Sequence, residues 1–204
     1  MNKRYIIIEG GIGAGKTTLL NILQQRYYTD AKFIYEYIES EIGKKMLKNF
    51  LEGKISVITF QYYIANYWLH KLEEASSSNL IFLERGPLAG IAFCKEDDFA
   101  SNQHYNNFIS FLKFIMKENG INKLKFICIN PNENINNVLN IINASNDNIV
   151  LFITASSKLL RERVIKRGRE GEAEGYSSDF LIENANKLSN IYLHPNEIIK
   201  DLIN

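Results

Sequence analysis

Residues 10–17 read Gly-Gly-Ile-Gly-Ala-Gly-Lys-Thr, the spacing G-x-x-x-x-G-K-[ST]. Glycines here let backbone N–H groups turn inward onto phosphate oxygens. A helix starting just after them would aim its positive end at the same anion. In such a loop Lys16 reaches the β- and γ-phosphates and Thr17 ligates magnesium. The expected ATP contacts are Gly10, Gly11, Ile12, Gly13, Ala14, Gly15, Lys16, Thr17 and Thr18. Average residue usage produces this pattern by chance in roughly one chain of this size in 100. The loop therefore points to nucleotide binding, and it leaves the phosphate acceptor open.

A second group with chemical potential is Glu84–Arg85, in NLIFLERGPLAG. A carboxylate at the end of a buried strand can hold magnesium, directly or through water. The neighbouring guanidinium can meet a phosphate or a catalytic carboxylate bidentately. A third group is the basic run LLRERVIKRGREGEAEG, with Arg163, Arg167 and Arg169 followed by Glu172. Positions 163 and 167 are one helical turn apart. Phosphoryl transfer spreads negative charge that arginines stabilise. Glycines at 168, 171 and 175 would let such an arm close over ATP. Either segment alone also suits a solvated charged turn or helix end; the phosphate loop turns both into site candidates.

The elements that must position these groups follow from periodicity. Tyr5–Glu9 reads as a buried parallel strand, and residues 16–28 as a helix with Leu19, Leu20, Ile22 and Leu23 in an apolar stripe. Further strands are expected at Lys32–Tyr35, Leu80–Leu83, Lys125–Ile129 and Ile149–Thr154. Helical spacing runs from Glu39 to about Ala75 with a break near Gly53, and again over 103–118, Ser157–Arg169 and 178–192. Strands alternating with helices imply an α/β fold with a mostly parallel central sheet flanked by helices. No repeat or linker divides the chain, so residues 1–204 read as one domain. The Asn-rich stretch 130–148 is the expected inserted or loosely ordered segment.

Bulk properties exclude several classes. Lys plus Arg is 24 against 23 for Asp plus Glu, a formal charge of +1, which gives no sign of nucleic-acid or membrane partners. The apolar run in MNKRYIIIEGG is too short for a signal peptide or a membrane span. The expected location is the cytoplasm, that of a host cell if the protein is virus-encoded. Cys94 and Cys128 sit in apolar surroundings and read as two buried free thiols with no metal-ligand spacing.

These motifs together resemble the deoxynucleoside kinase family, with the closer likeness to its herpesvirus thymidine kinase branch. IIIEGGIGAGKTTL is similar to the family's first strand and phosphate loop, LERGPLAG to its Asp/Glu-Arg-x-Pro stretch, and NIVLFI with RVIKRGREGE to its last strand and lid. The resemblance implies a P-loop kinase fold with an arginine-rich lid at about 163–175. It implies magnesium and ATP, a homodimer, and transfer to the 5′-hydroxyl of a deoxynucleoside, thymidine first. By it, Glu36 is the general base, with Glu39 its rival because Tyr37 stands where the family often has proline. Gln61 reads the base, Ile64 packs on it, and Glu172 binds the sugar 3′-hydroxyl. Arg85, Arg163, Arg167 and Arg169 orient the base or stabilise charge, and Thr17 and Glu84 take the metal.

The chain departs from the family pattern in three places. The stacking aromatic is expected nine residues after the arginine, where Cys94 stands, so Phe93 requires a local shift. The sugar-binding tyrosine has no sure counterpart, Phe50 being the nearest. The segment from about 119 to 148 is longer, and Lys125–Ile129 is expected to supply a sheet strand in place of a final one. Two other functions stay open: a nucleoside monophosphate kinase and a non-catalytic nucleotide binder. The acidic stretch Glu36, Glu39 and Glu41 suits an acceptor without a phosphate better than one with it.

Overall fold

The computed structural model describes residues 3–27, 31–169 and 172–203. The expected helix end at Tyr28 and the expected hinge Gly171 lie outside the described residues. Strand β1 (Arg4–Gly10) buries Tyr5, Ile6, Ile7 and Ile8 completely. Tyr5 and Ile7 enter the hydrophobic cluster on one face, and Ile6 and Ile8 the cluster on the other. A β-branched run buried on both faces is what a parallel strand between helices requires. β1 pairs in parallel with β3 (Leu80–Glu84) and β5 (Ile149–Ile153). β2 (Lys32–Ile34) and β4 (Lys125–Ile129) complete the all-parallel order β2-β3-β1-β5-β4. The expected α/β architecture is observed, and Lys125–Ile129 does supply a strand, at the sheet's edge.

Helices α1 (Lys16–Tyr27), α5 (Ile135–Asn143) and α6 (Ser157–Arg167) cover one face of the sheet. Helices α3 (Val57–Glu74), α4 (Asn102–Glu118) and α8 (Ser178–Leu193) cover the other, with Trp68, Phe108 and Leu188 buried among them. Serine starts many of these helices. Ser56, Ser101, Ser156 and Ser177 each accept a hydrogen bond from the N–H three residues on, which satisfies an otherwise orphaned donor. Gly168, left-handed at φ 66°, ends α6 before the predicted Arg169.

Two expectations are corrected. The stretch 130–148 is ordered: Asn134 caps α5, and Val138 and Ile142 of α5 are buried. Asn148 accepts from the Tyr5 N–H at 2.9 Å and donates to the Asn122 carbonyl at 2.8 Å. Its asparagines thus act as caps and sheet ties. Cys128 is exposed while Cys94 is buried, because β4 pairs on one side only. The break expected near Gly53 is observed: the helical run from Glu39 is two helices, α2 (Glu41–Leu51) and α3, parted at residues 52–56 where Gly53 takes φ 69°. Among the described residues no helix is long and apolar enough to cross a membrane.

Helix α2 seats the segment that leaves β2. A Cβ on Gly43 would lie 1.9 Å from the Tyr37 carbonyl oxygen, far inside van der Waals contact. Gly43→Ala is therefore expected to displace residues 36–39 and destabilise the fold by about 1–3 kcal/mol. Chemical denaturation of both proteins checks this; an unchanged midpoint would mean the contact relaxes without cost.

Candidate active site

The loop between β1 and α1 owes its shape to glycines that no other residue replaces. Gly13 has φ 84°, and a Cβ there would meet the Leu160 carbonyl at 2.8 Å. Gly10 has φ 144°, with the Ile153 carbonyl equally close. Lys16 is buried and donates to the Gly11 carbonyl at 3.3 Å. The hydroxyl of Thr17 donates to Glu84 Oε1.

Arg85 ends β3 in the left-handed region, φ 69°, rare for a residue with a side chain. Its own N–H still donates to the Ile8 carbonyl at 2.9 Å. The turn sends the guanidinium, 6% exposed, between two carboxylates. Nε lies 2.5 Å from Glu36 Oε1 and Nη1 lies 3.4 Å from Glu9 Oε2. The bidentate contact expected with one carboxylate is thus replaced by a bridge between two. Glu9 is fully buried and also accepts from the Gly86 N–H at 2.8 Å and the Tyr192 hydroxyl at 3.4 Å.

Arg167 and Arg169 meet Glu172, while Arg163 turns to the phosphate loop. Arg163 Nη1 donates to the Ala14 carbonyl of the loop at 2.7 Å. Arg167 pairs with Glu172. Arg169 lies 3.4 Å from Glu39 and 3.8 Å from Glu172. Glu172, in α7 (Glu172–Gly175), is buried.

Two adjoining cavities meet here. The first, about 500 Å³, is lined by Gly13, Gly15, Lys16, Thr17, Thr18, Glu84 and Arg163. The second, about 250 Å³, is mostly apolar and takes in Ile12, Gln61, Ile64, Phe93 and Glu172. Lys16, Glu36, Arg167 and Arg169 line both. Glu39 lines neither, and its side chain is half exposed. Gly10, Gly11 and Ala14 back the loop without lining a cavity. Gln61 is buried, and its Oε1 has no hydrogen-bond partner. Phe93 lies under Arg85, ring centroid to Cζ 5.2 Å, and Cys94 and Phe50 line the same cavity.

A family model described as an AAA domain matches residues 5–129, more than half of the 204 residues. The chain belongs to the AAA domain family. No curated protein matches this AAA-domain chain. Among solved structures, deoxyadenosine kinase from M. mycoides with bound dATP is similar. It is 19% identical with a TM-score of 0.61, over 94% of this chain and 84% of that one. The likeness establishes the AAA-domain chain as having a P-loop kinase fold, a deoxynucleoside-kinase-like one.

The charges at the junction of the AAA-domain cavities perturb one another. Burial would raise the Glu36 carboxyl, but Arg85 and Lys16 prevail and hold it at about 2. Burial and Arg85 push the Lys16 ammonium down to about 8, against the pull of Glu36, Glu84 and Glu9. Burial and the Glu36 charge raise the Glu84 carboxyl. Burial also raises Glu9 in spite of Arg85. Sequence reasoning missed Glu9, although it ends a buried strand as Glu84 does. It also missed Tyr37 and Tyr176, whose rings line the second cavity; an aromatic just after the lid glycines was the available signal for Tyr176.

Proposed function

We propose that this AAA-domain chain is a kinase that transfers the γ-phosphate of ATP to the 5′-hydroxyl of a deoxynucleoside. The observation that carries the reading is the shared wall. Lys16, Glu36, Arg167 and Arg169 stand between a phosphate-loop cavity and an apolar cavity holding an unpaired buried amide. A nucleoside with its base in the apolar cavity would place its hydroxyl at Glu36, facing the terminal phosphate at Lys16. The Gln61 amide offers a donor and an acceptor side by side to the base edge, with Ile64 and Phe93 against the ring. Glu172 would take the sugar 3′-hydroxyl.

Glu36 would orient the 5′-hydroxyl and accept its proton as the O–P bond forms. A carboxyl at about 2 is a weak acceptor. The incoming polyphosphate raises it by placing negative charge beside it and engaging Lys16. Arg85 would hold Glu36 in place. Lys16, Arg163, Arg167 and Arg169 would stabilise charge on the transferring group. The Thr17 hydroxyl and Glu84, whose Oε2 is buried without a partner, form a hard-oxygen set that fits Mg²⁺. Bound there, the ion would neutralise charge on the β- and γ-oxygens.

The reading takes residues 1–204 as one domain, with a lid at about 163–175, acting on ATP and a nucleoside in the cytoplasm and pairing as a homodimer. Thymidine is the first acceptor to test, from the resemblance to the herpesvirus branch. Deoxyadenosine is the second, from the similar solved structure. The test is turnover of magnesium ATP with the four deoxynucleosides and their monophosphates, against Lys16→Met. Turnover with a nucleoside only in the wild type is expected. Equal rates in the variant would overturn the reading, and faster turnover of monophosphates would move the acceptor class.

A further inference from the structure

Glu9, the next-to-last residue of β1, is a fully buried carboxylate that lines neither cavity. It reaches neither substrate, yet it holds Arg85, which does line the acceptor cavity. Resting on the reading of Glu36 as the general base, we propose that Glu9 is a positioning residue. By drawing Nη1 of Arg85 to itself, it leaves that arginine only Nε for Glu36 and keeps Glu36 Oε2 open to the proton of the acceptor hydroxyl.

An arginine facing a single carboxylate commonly grips it with a fork, two parallel N–H groups on its two oxygens. A fork on Glu36 would occupy both oxygens and weaken each as a proton acceptor. The observed contact is single. Nε lies 2.5 Å from Glu36 Oε1, and among the described residues Oε2 accepts no hydrogen bond. Nη1 instead lies 3.4 Å from Glu9 Oε2. Glu9 can exert this pull because its other oxygen is anchored: Oε1 accepts from the Gly86 N–H at 2.8 Å and from the Tyr192 hydroxyl of α8 at 3.4 Å. Gly86 permits the close approach, since a Cβ there would lie 3.1 Å from Ile7 and 3.7 Å from Glu9 Oε1. The Phe93 ring, its centroid 5.2 Å from Arg85 Cζ, packs against the guanidinium. In the transfer step the acceptor oxygen bonds to the γ-phosphorus as its proton passes to Glu36 Oε2. The bond from that phosphorus to the β,γ-bridging oxygen breaks, and its electron pair leaves on ADP.

Steady-state kinetics and a crystal structure of Glu9→Gln, made in the full chain, test this. The amide oxygen keeps the Gly86 and Tyr192 hydrogen bonds, while the NH2 turns a donor toward Nη1. Arg85 is then expected to swing onto Glu36 with two nitrogens on its two oxygens. The expected fall in kcat is about 10–100-fold, part of what a general base supplies, with the KM for ATP within about twofold of wild type. Glu9→Asp keeps the charge but withdraws it by one methylene. It is expected to act in the same direction, and it carries the test if the amide variant does not fold. Three results would each overturn the proposal: a wild-type kcat, a fall in kcat matched by a rise in the KM for ATP, or an Arg85 that still meets Glu36 through Nε alone. A wild type that phosphorylates no deoxynucleoside fails the kinase reading instead, and the position of Arg85 in the variant then still decides whether Glu9 sets it.

Discussion

Glu36→Gln is expected to lower kcat by about 10²–10⁴ while ATP affinity stays close to wild type and the melting temperature falls, because the amide gives up the charge paired with Arg85. The amide keeps the shape and one acceptor for Arg85, but it cannot take the hydroxyl proton. Glu39→Gln is the matched control: its side chain is half exposed and borders neither cavity, so its kcat should change far less. The pH profile adds a second readout. A free carboxyl of this type titrates near 4.5, whereas Arg85 and Lys16 outweigh burial to hold Glu36 at about 2. It stays deprotonated as the pH falls through 4.5. Within the range where the fold survives, kcat/KM should therefore show no acid limb near 4.5 from this group. A kcat unaffected by Glu36→Gln, or a larger loss in Glu39→Gln, would remove Glu36 from the chemistry.

Arg85→Met is expected to cost about 3–5 kcal/mol of stability at neutral pH and to abolish turnover. The substitution fills similar volume but leaves Glu9, fully buried, and Glu36 without their shared cation. The pH dependence should change sign. In the wild type Glu36 is depressed from 4.5 to about 2, so its contribution is present above 4.5 and is lost as the pH falls through 2. Without the arginine, burial raises both carboxyls. The native state then holds protons the unfolded chain has released, and stability falls as the pH rises above 4.5. Urea midpoints at pH 5 and pH 8 for both proteins check this. A variant whose midpoint falls no more between pH 5 and pH 8 than the wild type's does would show that the bridge does not govern these carboxyls.

Local sequence carried the parts of the fold that local physics decides. The run Ile6–Ile8 before paired glycines can only be a doubly covered strand leading into a tight loop, and it is. Arg163 and Arg167 share a helix face by spacing alone. In the stretch 130–148, polar composition hid an apolar stripe, Ile135, Val138 and Ile142, whose helical spacing was there to be counted. Cys128 was misjudged because its neighbours in sequence are apolar, while its exposure depends on β4 standing at an edge. The Arg85 bridge joins residues 49 and 76 positions away. No window along the chain contains such a contact, and only the sheet order brings Glu9 beside Arg85.

The way the arginines of the proposed lid are held has a consequence for selectivity. Arg163 is engaged by loop carbonyls, Arg167 by Glu172, and Arg169 by Glu39 and Glu172. None of these three guanidinium groups is therefore left without a partner. A stray polyanion gains little from them, since each guanidinium must first give up a carboxylate or a loop carbonyl. Only a ligand that also fits the glycine loop recovers that exchange, and so a near-neutral protein can keep a strongly cationic clamp without sequestering the nucleic acids and inorganic phosphates around it.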